Sequence, residues 1–147
     1  MRKVLLVVII GVAGYAGLIE YRRAPVDSDG GSGVVAADDS AFARAQVNRA
    51  SGIQLQGQGT VIKLLPDDND GSRHQKFILK LQSGQTLLIA HNIDLAPRIG
   101  SLRTGDVVSF NGKYEWNSKG GLIHWTHHDP GGRHVAGWLK HGGRTYQ

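Results

Sequence analysis

Apolar and polar residues alternate with a period of two from Gln54 onward, which is the pattern of half-buried β-strands. The alternation stops near Pro97, where the residues predict a short helical connection or an Ω-like loop, and it then resumes. A C-terminal hairpin follows the fifth predicted strand. The predicted strands are Gln54–Leu65, His74–Gln82, Gln85–Asn92, Asp106–Trp116 and Leu122–His128, with Val135–Lys140 and Arg144–Tyr146 in the hairpin.

Three strands, a short helical connection and two more strands are the element order of an OB-fold. Gly57 and Gly59 within the first strand predict a bend that lets one strand serve both halves of a small barrel. The predicted fold class is therefore all-β: a five-stranded OB-like barrel with a short helical connection and an extra C-terminal hairpin, preceded by an N-terminal hydrophobic helix. A β-sandwich or a split barrel built from the same strands is the alternative.

The chain begins with an apolar run, Val4–Ile19, that is bracketed by basic residues. This pattern predicts a signal anchor or signal peptide over residues 1–23. Residues 24–50 predict a flexible tether with a short helix over Ser40–Ala50, and residues 51–147 form the predicted barrel domain. An uncleaved leader would be a membrane helix holding the domain at the periplasmic face of the bacterial inner membrane, whereas cleavage would release it into the periplasm.

Composition excludes several classes of protein. No cysteine is present, so disulfide scaffolds, thiol nucleophiles, thiolate zinc sites and lipid-bearing cysteines are excluded. The length of 147 residues is too short for an α/β barrel. The barrel region is mildly basic, with eleven Lys and Arg against seven acidic residues. That balance fits an ordinary solvated surface as well as one that attracts phosphates.

Histidine and tryptophan are concentrated at the C-terminal end, where five of seven histidines and all three tryptophans follow residue 115. In an extended strand, histidines four residues apart are separated by about 13 Å, too far to share one metal ion. The turn at Asp129-Pro130-Gly131-Gly132 could return the chain and complete a divalent-metal site. The candidate ligands are His124, His127, His128, Asp129 and His134. The alternative is that these side chains are surface or hydrogen-bonding groups, since no spaced metal motif is present.

Aromatic and basic residues are also interleaved along this region, which predicts a basic aromatic groove. Nucleic-acid bases, sugar rings or an extended peptide would fit such a groove, and burial of the aromatic rings in the core is the alternative. The candidate ligand-binding residues are His74, His91, Tyr114, Trp116, Trp125, Arg133 and Trp138.

Several sequence blocks resemble a family of small exported proteins of Gram-negative bacteria that is catalogued as a domain of unknown function. The blocks are Lys63-Leu-Leu-Pro-Asp-Asp, Ser72-Arg-His-Gln-Lys-Phe, Ala90-His-Asn-Ile-Asp-Leu-Ala-Pro-Arg-Ile, Tyr114-Glu-Trp-Asn and Ile123-His-Trp-Thr-His-His-Asp-Pro. The resemblance covers about residues 52–147 and implies a location in the cell envelope, but it implies no activity. Staphylococcal-nuclease-type OB enzymes are a more distant comparison, and this chain lacks their Gly-Ile-Asp-x-Pro-Glu stretch.

Three functional hypotheses follow from these patterns. The first is an exported or membrane-tethered OB-like binding domain in the cell envelope, with a Trp/His/Arg-rich face and a ligand that the sequence does not identify. The second is a metal-dependent hydrolase, such as a phosphodiesterase or nuclease, that uses the His124–His134 region. The third is an envelope scaffold that binds a protein partner through an edge of the barrel.

Overall fold

The computed structural model describes residues 39–147, so the predicted leader and most of the predicted tether lie outside the described residues. Within residues 39–147, no helix is long and apolar enough to span a membrane. The elements are one helix and seven strands: α1 (Ser40–Val47), β1 (Ile53–Leu64), β2 (His74–Lys80), β3 (Thr86–Asn92), β4 (Val107–Glu115), β5 (Leu122–His124), β6 (Trp138–His141) and β7 (Arg144–Tyr146).

Strands β1 to β5 close into a barrel in the order β1-β2-β3-β5-β4, because β4 pairs again with β1. The β3–β5 pair is parallel and the other pairs of the barrel are antiparallel. Strand β6 pairs with β4 and carries β7 as an extra hairpin. The predicted five-stranded OB-like barrel with a C-terminal hairpin is confirmed.

The alternation in β2 places side chains as the sequence predicts, with Phe77 and Leu79 buried and Lys80 exposed to solvent. In β1 the backbone must pass very close to its neighbours. A Cβ atom on Gly57 would lie 2.9 Å from the Phe42 ring, and one on Gly59 would lie 2.9 Å from the Lys80 carbonyl oxygen. The pairing of β1 with β2 shifts register between Val61 and Lys63, just beyond the two glycines at which the sequence predicted a bend.

Helix α1 is shorter than the predicted helix, and it packs as part of the barrel core. The ring of Phe42 is fully buried and makes edge-on contacts with Phe110 and Tyr114, with ring centroids 5.7 and 6.5 Å away. Edge-to-face aromatic pairs of this kind stabilise a core beyond their area of burial. The sequence placed this helix on a tether, whereas in the structure its residues Phe42 and Ala45 belong to the barrel core.

The sequence predicted a short helix or an Ω-like loop between β3 and β4. This connection consists of turns, so the helical form of the prediction is wrong. Hydrogen bonds from side chains, and not the backbone hydrogen bonds of a helix, hold this segment in place. The side chain of Gln75 both donates to the Ile99 carbonyl oxygen and accepts from the Ile99 amide, each at 2.9 Å. Asp94 accepts hydrogen bonds from the backbone and the guanidinium of Arg73. The bonds from Gln75 satisfy the Ile99 backbone groups that a helix would otherwise have satisfied.

Candidate functional site

A cavity of about 560 Å³ opens at the end of the barrel where β2 begins and where β3 and β5 end. This volume is within the range of small-molecule sites. Histidines approach the cavity from the barrel strands and from the loop that joins β5 to β6. The lining residues are Ser72, His74, Asn92, Leu95, His124, Trp125, His127, Asp129, Arg133 and His134.

A change of backbone direction at Trp125 shapes this cavity. Trp125 has a φ of 53°, a left-handed conformation that is uncommon for a bulky residue. Strand β5 therefore ends at His124, and the predicted strand to His128 is wrong. An extended strand would have put His124 and His127 on opposite faces, but both line the cavity. His128 is exposed and does not line it.

Asp129 organises the loop that forms the outer wall. Its carboxylate accepts hydrogen bonds from the backbone amides of Gly131, Arg133 and His134. Burial alone would raise the pKa of Asp129, but these backbone hydrogen bonds outweigh it and the pKa is lowered. The charged carboxylate is therefore occupied in holding the loop. The Arg133 side chain is mostly exposed, with its Nε atom 3.9 Å from the same carboxylate.

Two cavity histidines are oriented by the same kind of hydrogen bond. His127 Nδ1 lies 2.6 Å from the carbonyl oxygen of His128, and His134 Nδ1 lies 2.7 Å from that of Val135. A carbonyl oxygen only accepts, so Nδ1 carries the proton in the neutral form of each ring. Within residues 39–147, the Nε2 atom of His127 has no hydrogen-bond partner, and that of His134 lies 4.0 Å from Asp129 Oδ2. Each Nε2 therefore remains available to a ligand.

The indole of Trp125 is fixed by charged and aromatic neighbours. It stacks against His134 at a centroid distance of 4.3 Å and against His124 at 5.2 Å, and Lys113 Nζ lies 4.2 Å from its centroid. Glu115 accepts from both His124 and Lys113 at 3.3 Å. Burial lowers the pKa of His124 even though the neighbouring Glu115 acts to raise it. The ring of Trp125 is thus part of the cavity wall and already has stacking partners.

Beneath the cavity, His91 is completely buried between two segments of the wall. Its Nδ1 lies 2.7 Å from Thr126 Oγ1, and its Nε2 lies 3.0 Å from the carbonyl oxygen of Pro97. Burial, reinforced by the charges of His127 and His74, lowers the pKa of His91 to about 4 although the bond to Pro97 acts to raise it. The ring is therefore neutral at physiological pH, with Nε2 as the donor and Nδ1 as the acceptor from Thr126.

The structure brings together seven of the residues that the sequence singled out. Those that line the cavity are His74, His124, Trp125, His127, Asp129, Arg133 and His134.

The other five candidates lie elsewhere. Tyr114 is a core residue whose hydroxyl donates to Gln46, and Trp116 donates from Nε1 to the Gln46 carbonyl oxygen at the end of the helix. Trp138 lies on β6 beneath Lys140, His91 is buried below the cavity wall, and His128 points to solvent.

Three residues of the cavity were not identified from the sequence: Ser72, Asn92 and Leu95. Asn92 had a detectable signal, because it is directly opposite His74 in the antiparallel pairing of β2 and β3. Ser72 and Leu95 lie in connections without regular structure, where no periodicity indicates the direction of a side chain.

Among residues 39–147, no group of three or more His, Asp and Glu side chains is placed to hold a metal ion. His127 and His134 come closest together, with perpendicular rings and centroids 5.1 Å apart. Asp129 is near His134, but its oxygens accept from the loop backbone. The arrangement that the described residues do show is a set of hydrogen-bonding imidazoles around an open volume.

A family model described as "Protein of unknown function (DUF3465)" matches residues 28–147. The chain therefore belongs to this family, as the resemblance of its sequence blocks predicted. No curated protein matches the chain. A domain of unknown function with a closed β-barrel fold is consistent with a binding domain, since OB-type barrels commonly carry ligand sites on their surface.

Proposed function

We propose that this member of the DUF3465 family is a binding module of the cell envelope, and that its ligand is a small molecule bearing an oxyanion such as a phosphate. The observation that carries the proposal is the composition of the cavity. Four histidines and Arg133 converge there, whereas its carboxylate, Asp129, is engaged by three backbone amides. Hydrogen-bond donors therefore outnumber available acceptors once the imidazoles are protonated.

The charge of the cavity depends on these imidazoles. Arg133 and Asp129 carry opposite charges, and nearby Lys113 is paired with Glu115. With neutral histidines, the cavity has little net charge. Because Nδ1 of His127 and His134 already donates to the backbone, protonation adds the new donor at Nε2, which is the free nitrogen. Charge-assisted hydrogen bonds to an anion are stronger and shorter than neutral ones.

The test is binding of inorganic phosphate to the full chain at pH 8 and pH 5.5, measured by calorimetry and by histidine side-chain NMR. For sulfate we expect the affinity at pH 5.5 to be about tenfold higher or more, since each added charge-assisted hydrogen bond contributes about 1.5 kcal/mol or more. Phosphate gains a proton over the same range, so its affinity should rise less. Sulfate keeps its charge of minus two over this range, so a change in sulfate affinity with pH comes from protonation of the protein alone. Equal sulfate affinity at both values of pH would contradict the proposal.

Variants assign the binding to the cavity. His134→Ala and Arg133→Gln should each weaken phosphate binding about tenfold, because each removes a donor that lines the cavity. His128→Ala is the matched control: it removes a neighbouring histidine that is exposed and outside the cavity, and it keeps the carbonyl oxygen that His127 uses. If all three variants bind phosphate like the unmodified chain, the cavity is not the site.

The envelope location is supported by the sequence of the leader. Its apolar run, Val4–Ile19, is flanked by Arg2 and Lys3 on one side and by Arg22 and Arg23 on the other. Such a segment directs a chain to the membrane and either remains there as an anchor or is removed. In the proposed arrangement, the barrel faces the periplasm, where small anionic solutes can enter the cavity directly.

A further inference from the structure

A second cavity, of about 370 Å³, lies on the outer face of the barrel, and none of its lining residues belongs to the histidine cavity. Its floor is formed by Leu65, Ile78 and Leu88. Ile78 and Leu88 face each other in the register of β2 and β3, and both are half-buried. Outward positions on a small barrel are usually polar, so adjacent large aliphatic side chains here form an apolar strip that crosses the strands.

Basic residues stand on two sides of this strip. Lys63 pairs directly with Ile78 in the register of β1 and β2, and Lys119 lies on the loop between β4 and β5. Neither lysine forms an ion pair within residues 39–147. The described lining contains no acidic residue. The second cavity, called the groove below, therefore carries positive charge at its edges, and the apolar strip between them is uncharged.

The wall that carries Lys119 is held rigidly. Asn117 Oδ1 accepts from the backbone amides of Lys119 and Gly121, at 2.8 and 3.1 Å. Thr86 Oγ1 donates to the Lys119 carbonyl oxygen at 3.0 Å, and Gln85 donates to the Gly120 carbonyl oxygen at 2.8 Å. A loop held by these four hydrogen bonds keeps its lysine beside the apolar strip before any ligand arrives, which lowers the entropic cost of binding.

The lining also indicates which ligands are disfavoured. At Ile78 and Leu88, strands β2 and β3 are each paired on both sides, so no free backbone edge lies beneath the apolar strip at which a peptide could add a strand. None of the described lining residues is aromatic, so bases and sugar rings have no stacking surface. An aliphatic chain with an anionic head group matches both the floor and the edges.

We propose that this groove binds a free single-chain amphiphile with an anionic head group, an alkyl phosphate or alkyl carboxylate. The alkyl chain lies over Ile78 and Leu88, and the head group contacts Lys63 or Lys119. This site is independent of the oxyanion site proposed above, because the two cavities have no lining residue in common.

The test uses hexyl phosphate as the probe and the full chain in nanodiscs of uncharged lipid, with empty nanodiscs as the blank. Because the histidine cavity is itself proposed to bind phosphate, the measurement is made in the Arg133→Gln/His134→Ala background, where calorimetry should show saturable binding at one site and methyl NMR should show shifts at Ile78 and Leu88. The double variant Lys63→Gln/Lys119→Gln should lower the affinity about tenfold or more. The matched control, Lys140→Gln/Arg144→Gln, removes two basic residues of the β6–β7 hairpin and should bind hexyl phosphate like the unmodified chain.

Two further experiments distinguish this site from a merely apolar patch and from the histidine cavity. Hexanol should bind much more weakly than hexyl phosphate, since it lacks the charge that the lysines attract; equal binding would mean an apolar patch only and would overturn the proposal. The shifts at Ile78 and Leu88 should persist in the Arg133→Gln/His134→Ala background even if this background abolishes binding of inorganic phosphate. The proposal is also overturned if the shifts at Ile78 and Leu88 disappear when Arg133 and His134 are replaced, or if the chain prefers anionic nanodiscs and binds no hexyl phosphate.

Discussion

Acid should destabilise the barrel through one buried imidazole, that of His91. The ring is fully buried, accepts from the Thr126 hydroxyl and donates to the Pro97 carbonyl oxygen. A proton on Nδ1 would remove the acceptor that Thr126 uses and would place a charge where water cannot reach it. We therefore expect the folded state to resist protonation of His91 over the range in which the unfolded chain accepts a proton.

The magnitude follows from the two pKa values. The pKa of His91 is lowered from 6.5 to about 4, chiefly because of burial. The stabilising effect of the neutral ring is therefore complete above pH 6.5 and is lost progressively as the pH falls toward 4. At 1.36 kcal/mol for each pH unit, the free energy of unfolding should decrease by about 3 kcal/mol across this interval because of His91 alone.

The assay is urea unfolding of the full chain at pH 7, 6, 5 and 4, beside the variant His91→Gln. Glutamine keeps a donor and an acceptor but does not titrate, so the variant should lose about 3 kcal/mol less stability between pH 7 and pH 4, whatever its stability at pH 7. His128→Gln, an exposed position, serves as the control and should keep the pH dependence of the unmodified chain. The reasoning is refuted if His91→Gln shows the same pH dependence, or if NMR finds that His91 titrates near 6.5.

Three other predictions test the packing, the location and the chemistry of the protein. Gly121→Ala should lower the free energy of unfolding by about 3 kcal/mol or more, because its Cβ atom would lie 2.2 Å from the Tyr114 ring at a φ of 114°. Gly84→Ala, which has open space around it, is the control and should lower it by only about 1 kcal/mol. Urea unfolding measures both. The full chain should fractionate with the inner membrane, and a reporter enzyme fused after Gln147 should be active in the periplasm; a soluble cytoplasmic fraction would contradict the envelope proposal. Elemental analysis should find less than one metal ion per chain, and stoichiometric zinc that is lost in His127→Ala/His134→Ala would instead favour the hydrolase hypothesis.

The barrel could be predicted because its strands arise from a regular alternation of apolar and polar residues, which is visible in the sequence. Alternating burial along β2 follows directly from alternating residue types, and Gly57 and Gly59 mark the places where the first strand approaches its neighbours too closely for a side chain. The connection before β4 could not be predicted in the same way. Its turns depend on hydrogen bonds from Gln75 and Arg73, which lie about twenty residues earlier in the sequence, and no local pattern reveals such partners.

Seven of the residues that line the candidate cavity were singled out from the sequence, but their arrangement was not predicted, and the difference arises mostly at Trp125. A period of two assigns His124 and His127 to opposite faces, and this holds only while the backbone stays extended. The left-handed conformation of Trp125 ends the strand and brings both histidines to one cavity, while His128 turns outward. Tryptophan is not a residue that indicates a positive φ, so the sequence carries no signal of the turn.

His91 offers a physical reason why this unfavourable backbone conformation persists. Thr126, the residue after Trp125, is buried and bonded to His91, whose other nitrogen holds the Pro97 carbonyl oxygen. Leu95, in the same connection as Pro97, lines the cavity from one side, and the segment around Thr126 lines it from another. One buried imidazole therefore anchors both irregular walls of the cavity. It follows that His91→Ala, which removes both of these bonds, should weaken phosphate binding at pH 7 although His91 does not line the cavity. His134→Ala leaves this anchor intact, so it should weaken binding without altering the pH dependence of unfolding that His91 causes.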